Sequence, residues 1–261
     1  MVQYYNNKEI NSGVNTTTNA KVKNNSIIEL KNISFNYNKS DKNLLLNNIN
    51  LSINSNQITA IVGPNGAGKT TLLKIMVGLL HPISGQIEIN GKLINNRNEL
   101  LENLGIVFQN PDEQVFFPIV EDDISFGPTN MGKSHEETHS LLHETLKLLK
   151  IEHLAKRSFF NLSFGEKKKV ALAGSLIMSP KLLILDEPTI GLDPWSRDDF
   201  EHIMKELTKV SGLIIATHDF ELLKLAHRIL FIWDGKIQKE FLNYDQFMEY
   251  FHKFDPMKKN Y

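Results

Sequence analysis

The chain has 261 residues, 41% of them hydrophobic, and a formal net charge of -1. Such a length suits one large domain or two small ones with ample apolar content for a core, and the near-neutral charge offers no general attraction to nucleic acid phosphates. Cysteine is absent, which excludes disulfides, and no apolar run nears the about 20 residues of a membrane helix, so a soluble chain in a reducing compartment is expected.

The N-terminus has neither the basic nor the apolar segment of a signal peptide. Met1 to Asn25 is crowded with Asn, Thr, Ser and Lys and is read as a flexible tail. Ile27 to Ile33 and Asn48 to Ile53 alternate as strands should, and Gln86 to Leu93 predicts a hairpin about Asn90-Gly91. These strands make an antiparallel sheet. Gln57 to Val62 reads as a buried strand and Thr70 to Leu80 as an apolar helix, with GPNGAGKTT at Gly63 to Thr71 between them.

The stretch from Gln109 to Leu162 suits a small helical subdomain. Ser134 and Glu137 predict a capping box, and Leu142, Leu146 and Leu149 continue the helix it starts. His135, His139 and His143 recur every four residues there, either as metal ligands or, as boundary residues beside the leucine stripe, with no ligand at all. Lys167 to Lys169 read as a solvated helix face, since three lysines release too few counterions for a nucleic-acid patch. From Leu182 the runs become continuously apolar, at Leu183 to Leu185 and Leu213 to Ala216, separated by an amphipathic helix bearing Phe200, Ile203, Met204 and Leu207. That pattern belongs to a parallel sheet covered on both faces. Phe247, Tyr250, Phe251 and Phe254 form an aromatic helical stripe, expected to pack on its own domain rather than across a dimer.

The motif at Gly63, Pro64, Asn65, Gly66, Ala67, Gly68, Lys69, Thr70 and Thr71 carries the first chemistry. Its glycines let successive N–H groups turn toward phosphate oxygens at a helix start, Lys69 can reach the β- and γ-phosphates, and the Thr70 hydroxyl can serve Mg²⁺. Asp186 follows an apolar run, where a carboxylate can hold Mg²⁺. Glu187 is placed to orient or deprotonate a water, and His218 follows the Leu213 to Ala216 strand. Open α/β sheets bind ligands beyond the carboxyl ends of their strands. These groups are therefore expected in one crevice.

The order of Gly63 to Thr71, Gln109, LSFGE at 162 to 166, LILDEP at 183 to 188, Gly191-Leu192-Asp193 and Thr217-His218-Asp219 resembles the ATP-binding subunit of an ABC transporter from roughly Ile27 to Ile237. The resemblance implies an α/β fold: a P-loop NTPase (RecA-like) core with a mainly parallel sheet, an antiparallel β-subdomain and a small helical subdomain. It implies a tail at 1–25, an ATP-binding domain at 26–240 with its helical part at about 110–165, and a C-terminal helical extension at 241–261. It further implies ATP and Mg²⁺ as cofactors, with Tyr37 stacking on adenine, Gln109 linking the metal and water to a transmembrane partner, and His218 contacting the γ-phosphate. Ser163 and Gly165 would touch the γ-phosphate held by the other copy of a head-to-tail dimer, with Asp193 packing across that interface. The helix starting near Glu166 supports this reading, having a positive end but no lysine loop of its own to serve.

Phe108 to Phe116, Val120 to Gly132 and Glu166 to Gly174 are similar to the ATPases of energy-coupling-factor importers, and the EKKK wording leans toward the cobalt and nickel branch rather than the vitamin branch. The implied partners are a second ATPase subunit, identical or related, a transmembrane coupling subunit and a substrate-binding membrane subunit, at the cytoplasmic face of the membrane; no nucleic acid is implied. The alternative is a soluble, non-transport ATPase with the same engine. Phe164 departs from the family, standing where Gly is usual and restricting the backbone. Hydrolysis is nonetheless expected to survive.

Overall fold

The structure is a computed structural model that describes residues 26–38, 43–94, 99–100 and 102–254. The tail at 1–25 and the end of the extension at 255–261 lie outside the described residues. Alternating side chains set the first sheet. β1 (Ser26–Phe35) pairs antiparallel with β2 (Leu46–Asn54) on one side and with β4 (Ser84–Ile89) on the other, and β4 turns into the short β5 (Lys92–Leu93). Asn90 and Gly91 join these last two with φ of 50° and 73°. Two successive positive φ values mark the primed hairpin turn that Asn-Gly favours.

Among the described residues the second sheet holds six strands. From one edge to the other these are β10 (Lys236–Phe241), β9 (Arg228–Trp233), β3 (Ile58–Val62), β8 (Gly212–Thr217), β7 (Leu182–Asp186) and β6 (Leu104–Val107). All pairings are parallel except β10 on β9, a hairpin through Asp234-Gly235 at φ 49° and 68°.

The continuous apolar runs explain why the strands of this sheet are buried twice. Leu183, Leu185, Leu213 and Ile215 enter one core with Phe200, Ile203, Met204 and Leu207 of α5 (Pro194–Leu207). Their neighbours Leu182, Ile184, Ile214 and Ala216 enter the other, with Leu72, Leu73, Ile75 and Met76 of α1 (Lys69–Met76) and the inner face of the first sheet. Side chains that alternate across a strand need such cover on both sides. The helix expected over Thr70 to Leu80 ends sooner, at Met76, because Gly78 takes a left-handed φ of 71° just beyond the cap.

Between β6 and β7 the chain forms α2 (Val120–Asn130), α3 (His135–Leu148) and α4 (Phe164–Leu176). The capping box of Ser134 and Glu137 is formed in both directions, and Leu142, Leu146 and Leu149 are buried. His135, His139 and His143 are exposed on α3, the first two with rings stacked 6.5 Å apart. Among the described residues no group of three His, Cys, Asp or Glu is placed to hold a metal ion. α6 (Tyr244–Lys253) lays its aromatic stripe on its own chain: Phe247 is fully buried against Phe220, Phe231 and Phe241, and Phe254 meets Phe231 edge-on at 5.0 Å. No helix among the described residues is long and apolar enough to cross a membrane.

Candidate functional site

The loop between β3 and α1 is shaped by its glycines. Gly63 runs so close to β9 that an added Cβ would lie 2.2 Å from the Ile232 carbonyl oxygen. Gly66 and Gly68 adopt φ of 81° and 96°, which side chains resist. Gly68 then starts α1 with no side-chain cap and no acidic residue in the first turn. The first N–H groups of that helix and its positive end are thus left to an anion. Lys69 folds over the loop, its Nζ donating to the Gly63 carbonyl at 2.8 Å and to that of Pro64 at 3.2 Å. Burial holds its ammonium below the ordinary lysine range, against the opposing pull of Glu187 and Asp186.

A cavity of about 320 Å³ opens in front of this loop, lined by Tyr37, Asn65, Lys69, Thr71, Gln109 and Glu187 among others. Tyr37 is exposed at its mouth, edge-on to Phe35, with its hydroxyl 3.2 Å from that of Thr71. Gln109 is exposed in the loop after β6. That loop is tied down by Gln114, whose Oε1 accepts from the Phe108 N–H at 3.1 Å and whose Nε2 donates to the Ala171 carbonyl of α4 at 2.9 Å. Gln114 escaped the motif reading, although it lies within the FQNPDEQVF stretch.

The adjacent strands β3, β8 and β7 bring the remaining groups together. Asp186, buried at the end of β7, accepts from the Thr70 hydroxyl at 2.8 Å through Oδ2. Burial pushes its carboxyl above the usual range, with the Thr70 bond opposing. Its Oδ1 is also buried and finds no hydrogen-bond partner among the described residues. An orphaned carboxylate oxygen beside a hydroxyl is a hard donor pair that fits Mg²⁺. Glu187 is held at a φ of 46°, a strained value for a side-chain-bearing residue. Its N–H donates to the Ala216 carbonyl of β8 at 2.8 Å, while its own carboxylate accepts from the Thr217 hydroxyl at 3.1 Å and lies 2.8 Å from His218 Nδ1. A carboxylate fixed by a histidine and facing a phosphate-binding loop can act as a general base.

Ser163, Gly165 and Asp193 gather elsewhere, and among the described residues none of them lines the cavity at the phosphate loop. Ser163 caps α4 in a complete capping box with Glu166. Gly165 lies against α5, where an added Cβ would sit 3.0 Å from Ser196 Oγ, and that hydroxyl donates to Asp193 at 2.6 Å. Asp193 in turn caps α5 by accepting from the N–H groups of Trp195 and Ser196. The basic run beside them is not a solvated face. Lys168 is 1% exposed and its Nζ donates to the Glu187 and Pro188 carbonyls at 2.9 and 2.8 Å; Lys167 pairs with Asp112 and Lys169 with Asp199. Burial lowers the Lys168 ammonium to about 8.

Comparison with known proteins agrees with this geometry. Residues 46–190 match the sequence profile of the family described as ABC transporter. The energy-coupling factor transporter ATP-binding protein EcfA of Methanocaldococcus jannaschii is 40% identical over 220 residues, which cover 82% of this chain and 78% of that protein. A protein of Methanosarcina acetivorans described as a putative ABC transporter ATP-binding protein is 42% identical over 219 residues, 82% of this chain and 67% of its own length. Among solved structures, cbiO1 from Clostridium perfringens, described as part of the ABC transporter complex cbiONQ, superposes with a TM-score of 0.79 at 38% identity, over 87% of this chain and 92% of that one. A dimeric ATP-binding cassette in a post-hydrolysis state, bound to ADP and Pi, superposes with a TM-score of 0.74 at 26% identity, over 82% of this chain and 98% of that one. A phosphate loop, a capped helix at LSFGE, and a paired carboxylate and histidine, in this order along the chain, have one reading: the chain belongs to the ABC transporter family, as an ATP-binding and ATP-hydrolysing subunit similar to the energy-coupling factor ATPases.

Proposed function

We propose that this ATPase powers a multisubunit membrane importer of cobalt or nickel ions, working as one of two cassettes paired head to tail at the cytoplasmic face of the membrane. The observation that carries the reading is the likeness to cbiO1 over nearly the whole of both chains, joined by the EKKK wording after Glu166. A vitamin-importing energy-coupling-factor ATPase is the second reading, favoured by the likeness to the EcfA proteins.

In this reading Tyr37 stacks on adenine, the loop from Gly63 to Thr71 wraps the phosphates, and Lys69 exchanges its carbonyl partners for β- and γ-phosphate oxygens. Thr70, Asp186 and Gln109 hold Mg²⁺, which neutralises charge on those oxygens when bound. Glu187 takes the proton of the attacking water and His218 steadies both Glu187 and the γ-phosphate. Ser163 and Gly165 meet the phosphate held by the other cassette, and Asp193 packs across the same contact. The aromatic side chains Phe116, Phe117 and Phe126 are exposed after the Gln109 loop, the last two 5.3 Å apart. They form the surface that meets the transmembrane coupling subunit, through which closure of the cassettes is passed on. The test is uptake by cells that carry the complete transporter with or without this chain. Accumulation of Co²⁺ or Ni²⁺ that requires the chain supports the proposal; accumulation of a vitamin instead moves it to the second reading, and loss of neither defeats both.

A further inference from the structure

The turn from Glu187 to Gly191 is gripped from one side by a single helix. Lys168 of α4 is almost fully buried, yet among the described residues no carboxylate oxygen is its hydrogen-bond partner: its ammonium donates to the main-chain carbonyls of Glu187 and Pro188 at 2.9 and 2.8 Å. A buried cation is costly to desolvate and persists only where such bonds compensate it. One helical turn earlier, the ring of Phe164 lies 5.4 Å from that ammonium. The same ring presses on the far end of the turn, where an added Cβ at Gly191 would meet Phe164 Cε1 at 2.7 Å. Residues four apart share a helix face, so the two side chains act together.

Glu187 is the residue in this turn that needs holding. Its φ of 46° is unfavourable without external restraint. Its N–H is fixed by the Ala216 carbonyl, and Lys168 fixes its carbonyl. We propose that Lys168 is a positioning residue for ATP hydrolysis, which locks the Glu187 main chain so that the carboxylate stays on His218, with Phe164 covering the lysine and seating the Gly191 end. The inference rests on the reading of Glu187 as general base. It also accounts for a phenylalanine in a slot where glycine is usual, because the ring is turned onto its own chain. Helix α4, capped by Ser163, is thereby tied through Lys168 to the turn that carries the carboxylate.

The test is steady-state ATP turnover of the full-length chain, normalised to nucleotide-binding sites so that unfolded protein does not count. Glu187→Gln alone should slow hydrolysis by about 10² to 10⁴, the reach of general-base catalysis, with binding nearly intact; if it does not, the underlying reading fails. Lys168→Met should lower kcat by about ten-fold or more with the KM for ATP within about two-fold, Lys168→Arg should recover part of it, and Lys168→Met added to Glu187→Gln should slow hydrolysis no further. If Glu187→Gln behaves as expected while Lys168→Met leaves kcat unchanged, or costs the same in both backgrounds, Lys168 is structural only and the inference is overturned. Should Lys168→Met fail to fold, Phe164→Ala answers the same question, lowering kcat in the native background and leaving it unchanged beside Glu187→Gln.

Discussion

Two helices of this chain begin in glycine-bearing loops, and their first turns are finished in opposite ways. Helix α1 is capped by Gly68, with no side-chain cap and no acidic residue of its own in the first turn. Helix α4 is capped by Ser163, whose hydroxyl and backbone are both engaged by Glu166 in a full capping box. The first leaves its N–H groups for an incoming anion and sets Lys69 beside them. The second satisfies part of its own end and places a carboxylate there. One chain can therefore take a phosphate at α1 unaided, whereas an anion reaching α4 has to displace the contact between Ser163 and Glu166. The difference teaches that a capped helix end is a recognition surface only in combination with something brought to it.

The comparison breaks most easily at α1. Lys69→Ala removes a charged donor from the phosphates, a bond worth about 1.5 to 3 kcal/mol. ATP affinity should fall by about 10- to 100-fold with the fold intact. Calorimetric titration with ATP checks this, and an affinity unchanged from the native chain would mean that the loop N–H groups alone hold the nucleotide. At α4 the expected effect is smaller and of another kind. Ser163→Ala removes the cap, at a cost of about 1 kcal/mol, which for a domain of this size lowers Tm by about 2 to 4 °C. Turnover per folded chain should fall as well, since the serine is proposed to serve the other cassette. A lowered Tm with turnover untouched would leave Ser163 a cap and nothing more.

How far the sequence reveals these two ends follows from the range of the interactions. The phosphate loop, the Asn90-Gly91 hairpin and the Ser134 capping box are local devices, each readable within a few residues. The parallel strands were equally legible, because Leu183 to Leu185 and Leu213 to Ala216 cannot be apolar throughout unless both faces are covered. The convergence of Asp186, Glu187 and His218 followed from the rule that such sheets bind beyond their strand ends. Lys168 was misread for a physical reason. Lys168, Val170, Ala171, Leu172 and Ala173 are all buried, so α4 is enclosed nearly all round and no polar stripe marks a solvent side; a lysine in a basic run then looks solvated. Its partners are main-chain carbonyls 19 and 20 residues away, which carry no side-chain signature. The hairpin of β9 and β10 was missed for less reason, since an apolar run ending in Asp234-Gly235 is a signal of the same kind as Asn90-Gly91.

The mildest change sharpens the comparison furthest. Burial works against the Glu166 charge, but the Ser163 N–H and hydroxyl, aided by Arg157 and His153, outweigh it and hold the carboxyl below the usual glutamate range. A group whose folded value is lowered stabilises the fold fully above its ordinary value and loses that contribution as pH falls through the folded value. Glu166→Gln keeps a hydrogen-bonding side chain at the same place and removes only the charge. Its Tm should lie about a degree or two below that of the native chain at pH 7, less than the loss from removing the cap outright. The gap should close as the pH is taken below 4.5, the ordinary value for this carboxyl. Thermal melts of both proteins across that range decide the matter: a gap that persists into acid would show that α4 is capped by shape alone. The carboxylate would then present no electrostatic barrier to a phosphate approaching Ser163, and the contrast with α1 would reduce to the single lysine at 69.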